Sequence, residues 1–332
     1  MGRGSEWVVP GDARDWSVTR RSLASLGMTR PVTRFAPSPT GDLHLGHVAH
    51  ALWVWRVALE HDATVLIRME DHDRTRCRPE YERSILTDLD WLGFVPDAAS
   101  RASLEASPSA FRQSDHPDRY AEAFAQLQRV TDVYGCTCSR AMMETSGPEG
   151  ERRYPGTCRG TPLDRDGRLV ARARIPGDET TVTDLIHGPL LQQPQHDQGD
   201  VAVRDVFGQW TYQFCVVVDD LHDGVNLIVR GDDLAPSTGR QWLLAKLLGR
   251  TAPFVTAHHP LLYAADGRKL SKRDRSETVR AMRGRGMTPD DVREAARRSL
   301  HPPAAPLSAG PRRSSDTWPD SAQSHGRNPA SR

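Results

Sequence analysis

The chain reads as an α/β protein built on a mainly parallel sheet, with a small insertion that interrupts it. Three observations predict this. From Val32 onward strand-like and helix-like segments alternate. Between Val133 and about Pro194 that rhythm breaks into short pieces punctuated by Gly and Pro. Beyond them the alternation returns. With 332 residues, 37% of them hydrophobic, the chain is long enough to bury a sizeable core.

Residues 1–30 are rich in Gly, Ser and Arg and carry no sustained periodicity, so they read as a flexible extension, with Met28 as a candidate natural start. A strand is expected at Val32 to Phe35, then a helix from the Gly46 turn to about His61 with Leu52, Trp55 and Leu59 along one side. Ala63 to Arg68 reads as a buried strand and Pro79 to Leu92 as a helix. Another helix opens at Pro117, where proline is tolerated early, with Asp115 nearby as a cap. The first half of the sheet domain is therefore placed at 31–132 and the insertion at 133–194. The second half, 195–275, carries a helix at Gln213 to Asp223, a strand at Asn226 to Arg230 and a helix at Pro236 to Leu248. Two basic helices, Glu277 to Arg285 and Pro289 to Leu300, fill 276–300, and their arginines read either as phosphate contacts or as a solvated charged face. Residues 301–332 have little to bury and read as a disordered tail.

Charge and cysteine usage narrow the function classes. Forty-four Lys/Arg against 43 Asp/Glu leave a net charge of +1, so any nucleic-acid contact must come from a local basic face. No stretch approaches the roughly 20 apolar residues of a membrane span, and the N-terminus lacks the apolar core of a secretory signal. A cytoplasmic monomer is the expectation. Five cysteines form an odd, sparse set suited to a reducing compartment. Cys77 is expected at the surface and Cys215 in the core. Cys136, Cys138 and Cys158 cluster, and three thiolates suit a structural Zn²⁺ whose fourth ligand the spacing leaves open.

Two segments carry phosphate chemistry. In Arg34-Phe35-Ala36-Pro37-Ser38-Pro39-Thr40-Gly41-Asp42-Leu43-His44-Leu45-Gly46-His47, a Pro/Gly-shaped turn delivers two imidazoles to the mouth of a helix. There the unpaired N–H groups and the positive dipole end favour an anion. Far downstream, Lys269-Leu270-Ser271-Lys272-Arg273 supplies ammonium groups on long stems that can follow a departing pyrophosphate. Activation of a carboxylate by ATP needs both. The charge on the α-phosphorus and the leaving group must be neutralised. Pro37, Gly41, His44, Gly46, His47, Lys269 and Lys272 are the candidate ATP-binding residues, and His44, His47 and Lys272 the candidate catalytic ones.

Together these segments resemble the two ATP-handling motifs of the class I aminoacyl-tRNA synthetases. The likeness extends over about Pro31 to Arg280. It includes Arg68-Met69-Glu70-Asp71, Tyr212 with Val217-Val218-Asp219-Asp220, Val229 to Leu234, and Arg240-Gln241. These place the chain nearest the glutamate branch, and within it nearest the short paralogue family, the glutamyl-queuosine tRNA(Asp) synthetases. The resemblance implies a Rossmann-like catalytic domain, with ATP as substrate, Mg²⁺ as cofactor and an L-glutamate site at Arg34, Phe35, Ala36, Pro37, Ser38, Glu70, Tyr212 and Arg230. The chemistry agrees: two guanidiniums, a carboxylate and two hydroxyls match a zwitterion with an extra carboxylate. Glu70 has a purely structural alternative, pairing with Arg68 or Arg74. Asp219 and Asp220 read as structural acids at a helix end. The resemblance also implies Tyr154 as the fourth zinc ligand. Only about 59 residues follow Arg273, too few for the helical anticodon-reading domain of a glutamyl-tRNA synthetase. No such domain is expected here. The acceptor implied is a hydroxyl of queuosine in the anticodon of tRNA(Asp), with a glutamyl-tRNA synthetase charging tRNA(Glu), or a non-catalytic RNA-binding descendant, as rivals.

Overall fold

A computed structural model of the chain describes residues 23, 28, 30–146, 151–163, 168–261 and 277–300. The expected N-terminal extension lies almost wholly outside these residues, as do the tail 301–332 and the segment with Lys269 and Lys272. In chain order the first half comprises β1 (Val32–Phe35), α1 (Leu45–His61), β2 (Thr64–Ile67), α2 (Pro79–Leu92), α3 (Ala98–Ser103) and α4 (Pro117–Val130). Next come β3 (Val133–Cys136), β4 (Glu144–Ser146), β5 (Glu151–Arg153), β6 (Val170–Ala173), β7 (Thr180–Asp184) and β8 (Gly188–Gln192). The remainder is α5 (Pro194–Asp197), β9 (Val201–Arg204), α6 (Tyr212–His222), β10 (Leu227–Gly231), α7 (Thr238–Leu247), β11 (Val255–His259), α8 (Val279–Gly284) and α9 (Pro289–Leu300).

The main sheet is assembled from two parts. β1 pairs with β2 in parallel, and β10, β11 and β7 run parallel with β8 antiparallel at the edge. Asn226 ties the parts together: its side-chain oxygen accepts from the Val32 N–H at 2.8 Å, and its own N–H donates to the Val32 carbonyl at 3.0 Å. β1 and β10 thus lie side by side as the first strands of the two halves. The crevice beyond their carboxyl ends is where open α/β sheets bind ligands. Phe35, Ile67, Leu227, Val229, Val255 and Ala257 from these strands share one core with α1 and α9.

β3, β6 and β9 form a separate antiparallel sheet, and β4 and β5 a small hairpin. The segment 133–194 read as one insertion is therefore divided. β7 and β8 belong to the main sheet, while β9, beyond residue 194, pairs back onto β6. Turn residues around β7 and β8 make them look like further insertion, but Val182, Asp184 and Leu185 are buried against main-sheet neighbours.

Several local expectations change. On α1 the buried face is Val48, Ala49, Ala51, Trp53, Val54, Val57 and Ala58, whereas Leu59 is 65% exposed. Asp115 does not cap α4; it accepts from the Ser109 N–H and pairs with Arg112, both at 2.8 Å. β11 is absent from the sequence reading because Val255-Thr256-Ala257-His258-His259 ends in two residues normally counted as polar, yet the whole strand is buried. On α9, Arg293 pairs with Asp290, and Arg297 and Arg298 with Glu294, so those guanidiniums are partly engaged by their own helix. No helix among the described residues is long and apolar enough to cross a membrane.

Candidate active site

The turn after β1 is pinned from several sides. Pro37 and Pro39 carbonyls accept from the N–H groups of Glu70 and Arg78, each at 3.0 Å. A Cβ at Gly41 would meet nothing within 4 Å, so open space lies over the turn. His44 then caps α1 reciprocally with His47. The His44 Nδ1 accepts from the Gly46 N–H at 3.1 Å, and the His47 Nδ1 accepts from the His44 N–H at 3.3 Å. A ring nitrogen that accepts carries no proton, so both neutral imidazoles hold theirs on Nε2. The ring centroids lie 3.9 Å apart at the positive end of a 17-residue helix.

Lys269 and Lys272 are outside the described residues, but both ends of their segment are placed. One leaves the end of β11. The other returns against the capping turn, where the Val279 N–H donates to the Leu43 carbonyl at 2.8 Å and Thr278 bridges His44.

Beside this turn lies a cradle of buried charge. The Arg34 Nε donates to Asp220 at 3.0 Å and its Nη1 to the Val229 carbonyl at 3.3 Å, crossing the seam from β1 to β10. Arg68, directly after β2 and 1% exposed, reaches Asp220 at 2.8 Å, Asp223 at 2.9 Å and Glu70 at 3.2 Å. Burial works against its charge, but Asp220, Asp219, Glu70 and Asp223 outweigh burial and hold it firmly protonated. Burial raises the Glu70 carboxyl, with Arg68 and Arg34 opposing. For Asp220 burial also acts upward, but Arg34 and Arg68 prevail and keep it ionised. Glu70 thus pairs with Arg68, while Arg74 takes Asp71 instead. Asp219 accepts from Gln113, Arg119 and Tyr120, a structural acid inside the fold.

Tyr212 opens α6 over this cradle. Its phenol is pushed up by burial and then by Glu70, while Arg230 and Arg34 pull it down, which puts all four groups in one electrostatic neighbourhood. Arg230, 3% exposed, sits at the end of β10 and hydrogen-bonds His258, Thr238 and Gln241, with the Tyr212 phenol near enough to act on its charge. Of the remaining residues read from sequence, Ala36 and Ser38 are half-buried in the turn, while the Phe35 ring is in the core, stacked on His50 at 5.5 Å. Phe35 therefore offers the site its main chain only.

Sequence reading missed Asp184, His50, Thr238, Gln241, His258 and His259. His50 Nδ1 lies 2.9 Å from His259 Nε2, and burial, then His259, Arg34 and His47, drive its basicity well down. The available signal was slight: Gln241 stands in the quoted Arg240-Gln241 pair, and His258-His259 in an otherwise apolar run.

In the insertion, the sulfurs of Cys136, Cys138 and Cys158 lie within 4.8 Å of one another, with Cys138 and Cys158 at 3.5 Å. A tetrahedral zinc–thiolate site has sulfurs about 3.8 Å apart for bonds of about 2.3 Å, so the donor set fits. Burial pushes the Cys138 thiol up to about 12. Cys158 is held down at about 7, because hydrogen bonds led by Thr137 outweigh burial. Tyr154, 3% exposed, packs in the same cluster, and its oxygen accepts from the Cys158 N–H at 2.9 Å. Cys77 is half-buried and Cys215 fully buried.

A family model described as tRNA synthetases class I (E and Q), catalytic domain, matches residues 31–305. The chain is 40% identical over 272 residues to a glutamyl-Q tRNA(Asp) synthetase of Symbiobacterium thermophilum, covering 78% of this chain and 83% of that protein. It is also 40% identical over 265 residues to glutamate–tRNA ligase 1 of Acidithiobacillus ferrooxidans, covering 78% of this chain and 54% of the relative, about half its length. Among solved structures it resembles a glutamate tRNA ligase from Elizabethkingia meningosepticum in complex with its amino acid. That match has a TM-score of 0.60 and 28% identity, and covers 74% of this chain and 52% of the other.

Proposed function

The chain belongs to the class I aminoacyl-tRNA synthetases of the glutamate and glutamine branch, and on that footing we propose that it activates L-glutamate with ATP and transfers it to queuosine in the anticodon of tRNA(Asp). The observation that carries the amino-acid half is the meeting of Arg34, Glu70, Tyr212 and Arg230 beside the capped imidazoles of His44 and His47. In the first step a glutamate α-carboxylate oxygen attacks the α-phosphorus and pyrophosphate leaves. His44 and His47 donate through Nε2–H to phosphate oxygens, and Lys269 and Lys272 accompany the pyrophosphate. Mg²⁺, when bound, neutralises charge on the phosphates. Arg34 and Arg230 take carboxylate oxygens of glutamate, Glu70 receives the α-ammonium, and Pro37, Ser38 and Gly41 shape the turn around the substrates. In the second step a ring hydroxyl of queuosine attacks the activated carbonyl, and AMP departs with the bond to phosphorus intact.

Zinc fits Cys136, Cys138, Cys158 and Tyr154, where it would brace the insertion and take no part in acyl transfer. The acceptor reading is supported by relatives named glutamyl-Q tRNA(Asp) synthetase, 38–40% identical, that align over most of their own length. The place of work that suits such a reaction is the cytoplasm.

The test is transfer of labelled glutamate, in the presence of ATP, to tRNA(Asp) with queuosine, to the same tRNA without it, and to tRNA(Glu). Label confined to the queuosine-bearing tRNA is the expected result. Label on tRNA(Glu) alone would assign the chain to ordinary glutamylation and sink the acceptor reading.

A further inference from the structure

Behind the cradle, two buried residues that the proposed chemistry does not use directly, Asp184 and His258, line up with Arg230. Asp184, at the end of β7, accepts from the N–H groups of Ile186 and His187, both at 2.9 Å, from the Thr256 hydroxyl at 2.8 Å and from the His258 N–H at 3.0 Å. A carboxylate so surrounded by donors remains an acceptor toward the His258 ring as well, 2.6 Å away at Nδ1. The imidazole proton is thereby fixed on Nδ1. At the other side of the ring, Nε2 stands 3.0 Å from the Nε of Arg230, a group that can only donate. Both ends demand the same tautomer. Burial, the largest influence on His258, lowers its basicity and keeps the ring neutral. The side chains of Asp184 and His258 are both 0% exposed.

Arg230 has five N–H donors in a rigid plane. His258 takes the Nε–H, Gln241 one hydrogen of Nη1, and Thr238 one of Nη2 at 2.8 Å. One hydrogen on each of Nη1 and Nη2 is left over for the substrate. A guanidinium gripped along its inner edge cannot swing out of plane, so its outer edge is set before any amino acid arrives.

We propose that Asp184 and His258 are positioning residues for the amino-acid site: the carboxylate fixes the imidazole tautomer, and the imidazole Nε2 fixes the guanidinium of Arg230 for a glutamate carboxylate. This rests on the reading that Arg230 binds that carboxylate. The substitution that separates positioning from bulk is His258→Phe, which keeps the ring and removes the acceptor. His258→Gln keeps an acceptor oxygen near the place of Nε2. Calorimetric titration of the full chain with glutamate and, separately, with ATP supplies the readout.

Loss of a hydrogen bond to a charged group predicts about a 10- to 100-fold weaker glutamate Kd for His258→Phe, with ATP affinity unchanged and most of the loss recovered in His258→Gln. Equal losses for glutamate and ATP, or no loss for glutamate in folded His258→Phe, would overturn the proposal. Arg230→Lys is the control: if it weakens glutamate and His258→Phe does not, positioning alone fails. If Arg230→Lys leaves glutamate binding intact, the underlying reading of Arg230 fails first. Should His258→Phe not fold, the wild-type protein still decides. ¹⁵N NMR of the His258 ring must show a proton on Nδ1 and a bare Nε2, and a proton on Nε2 refutes the device.

Discussion

In the cradle of buried charge Arg34 and Arg68 meet Asp220 across 186 and 152 residues of chain, whereas in the insertion Cys138 and Cys158 meet across 20. The cradle is assembled by the fold and its charges neutralise one another. Glu70, Asp220 and Asp223 each have the Arg68 guanidinium within 3.2 Å, and Asp219 has that of Arg119 at 2.8 Å. The thiol cluster is assembled locally, and its three sulfurs face one another. The comparison teaches that a highly charged pocket can be neutralised from within by partners distant in the chain, whereas three thiols gathered over a short stretch form a donor set that suits a metal.

The strongest way to break this contrast is Arg68→Met. The methionine fills part of the volume but leaves Glu70, Asp220 and Asp223 facing one another, almost fully buried. Breaking a buried pair by removing one partner costs about 3–5 kcal/mol, read as a lower urea midpoint at constant slope. A loss below about 1 kcal/mol would mean that water enters the cradle, and the picture of a self-neutralised site would be wrong.

A smaller and more local effect is expected from the other region. Chelation, or Cys138→Ser, should lower the local opening free energy of the β3–β6–β9 sheet by about 2 kcal/mol, seen as faster amide exchange there. Exchange in β1, β10 and β11 should stay unchanged. If chelation unfolds the whole chain in one step, the two regions are a single cooperative unit and the contrast collapses. If it changes nothing, the thiols hold no metal.

The same division governs what was legible in the sequence. The capping turn, the helices at 79–92 and 289–300 and the strand at 32–35 follow from local chemistry: prolines at permitted positions, a reciprocal cap, short apolar runs. The three cysteines were legible because their spacing is short. The partners of Arg230 were not. Gln241 and Thr238 stand on the next helix and His258 is 28 residues away, and nothing in a single sequence says which polar residue will be turned inward. β11 was missed for a related reason: His258 and His259 are polar by type but buried, because Asp184, Arg230 and His50 satisfy them. Division of the insertion between two sheets likewise depends on which strand edges are vacant, and that is decided only when the halves close.

The smallest expected effect sharpens the contrast from within the main body. Asp88, on α2, is 0% exposed, yet neither carboxylate oxygen has a hydrogen-bond partner among the described residues, and its ion pair with Arg283 of α8 is 3.3 Å long. Burial raises its carboxyl to about 6, with Arg283 opposing and Asp42 adding to the rise. This folded-state value lies above the ordinary unfolded one of about 3.9. Between the two, the native chain binds more protons than the unfolded chain, so stability falls as pH rises from about 4 to about 6 and stays reduced above that range. Asp88→Asn removes the charge at nearly constant shape, at the cost of the Arg283 pair. Near pH 4 the variant should match the wild type, and near pH 8 it should be more stable by about 1 kcal/mol, measured by urea unfolding at both pH values. Equal stability at both would show that Arg283 fully compensates the charge, making Asp88 one more member of the neutralised network.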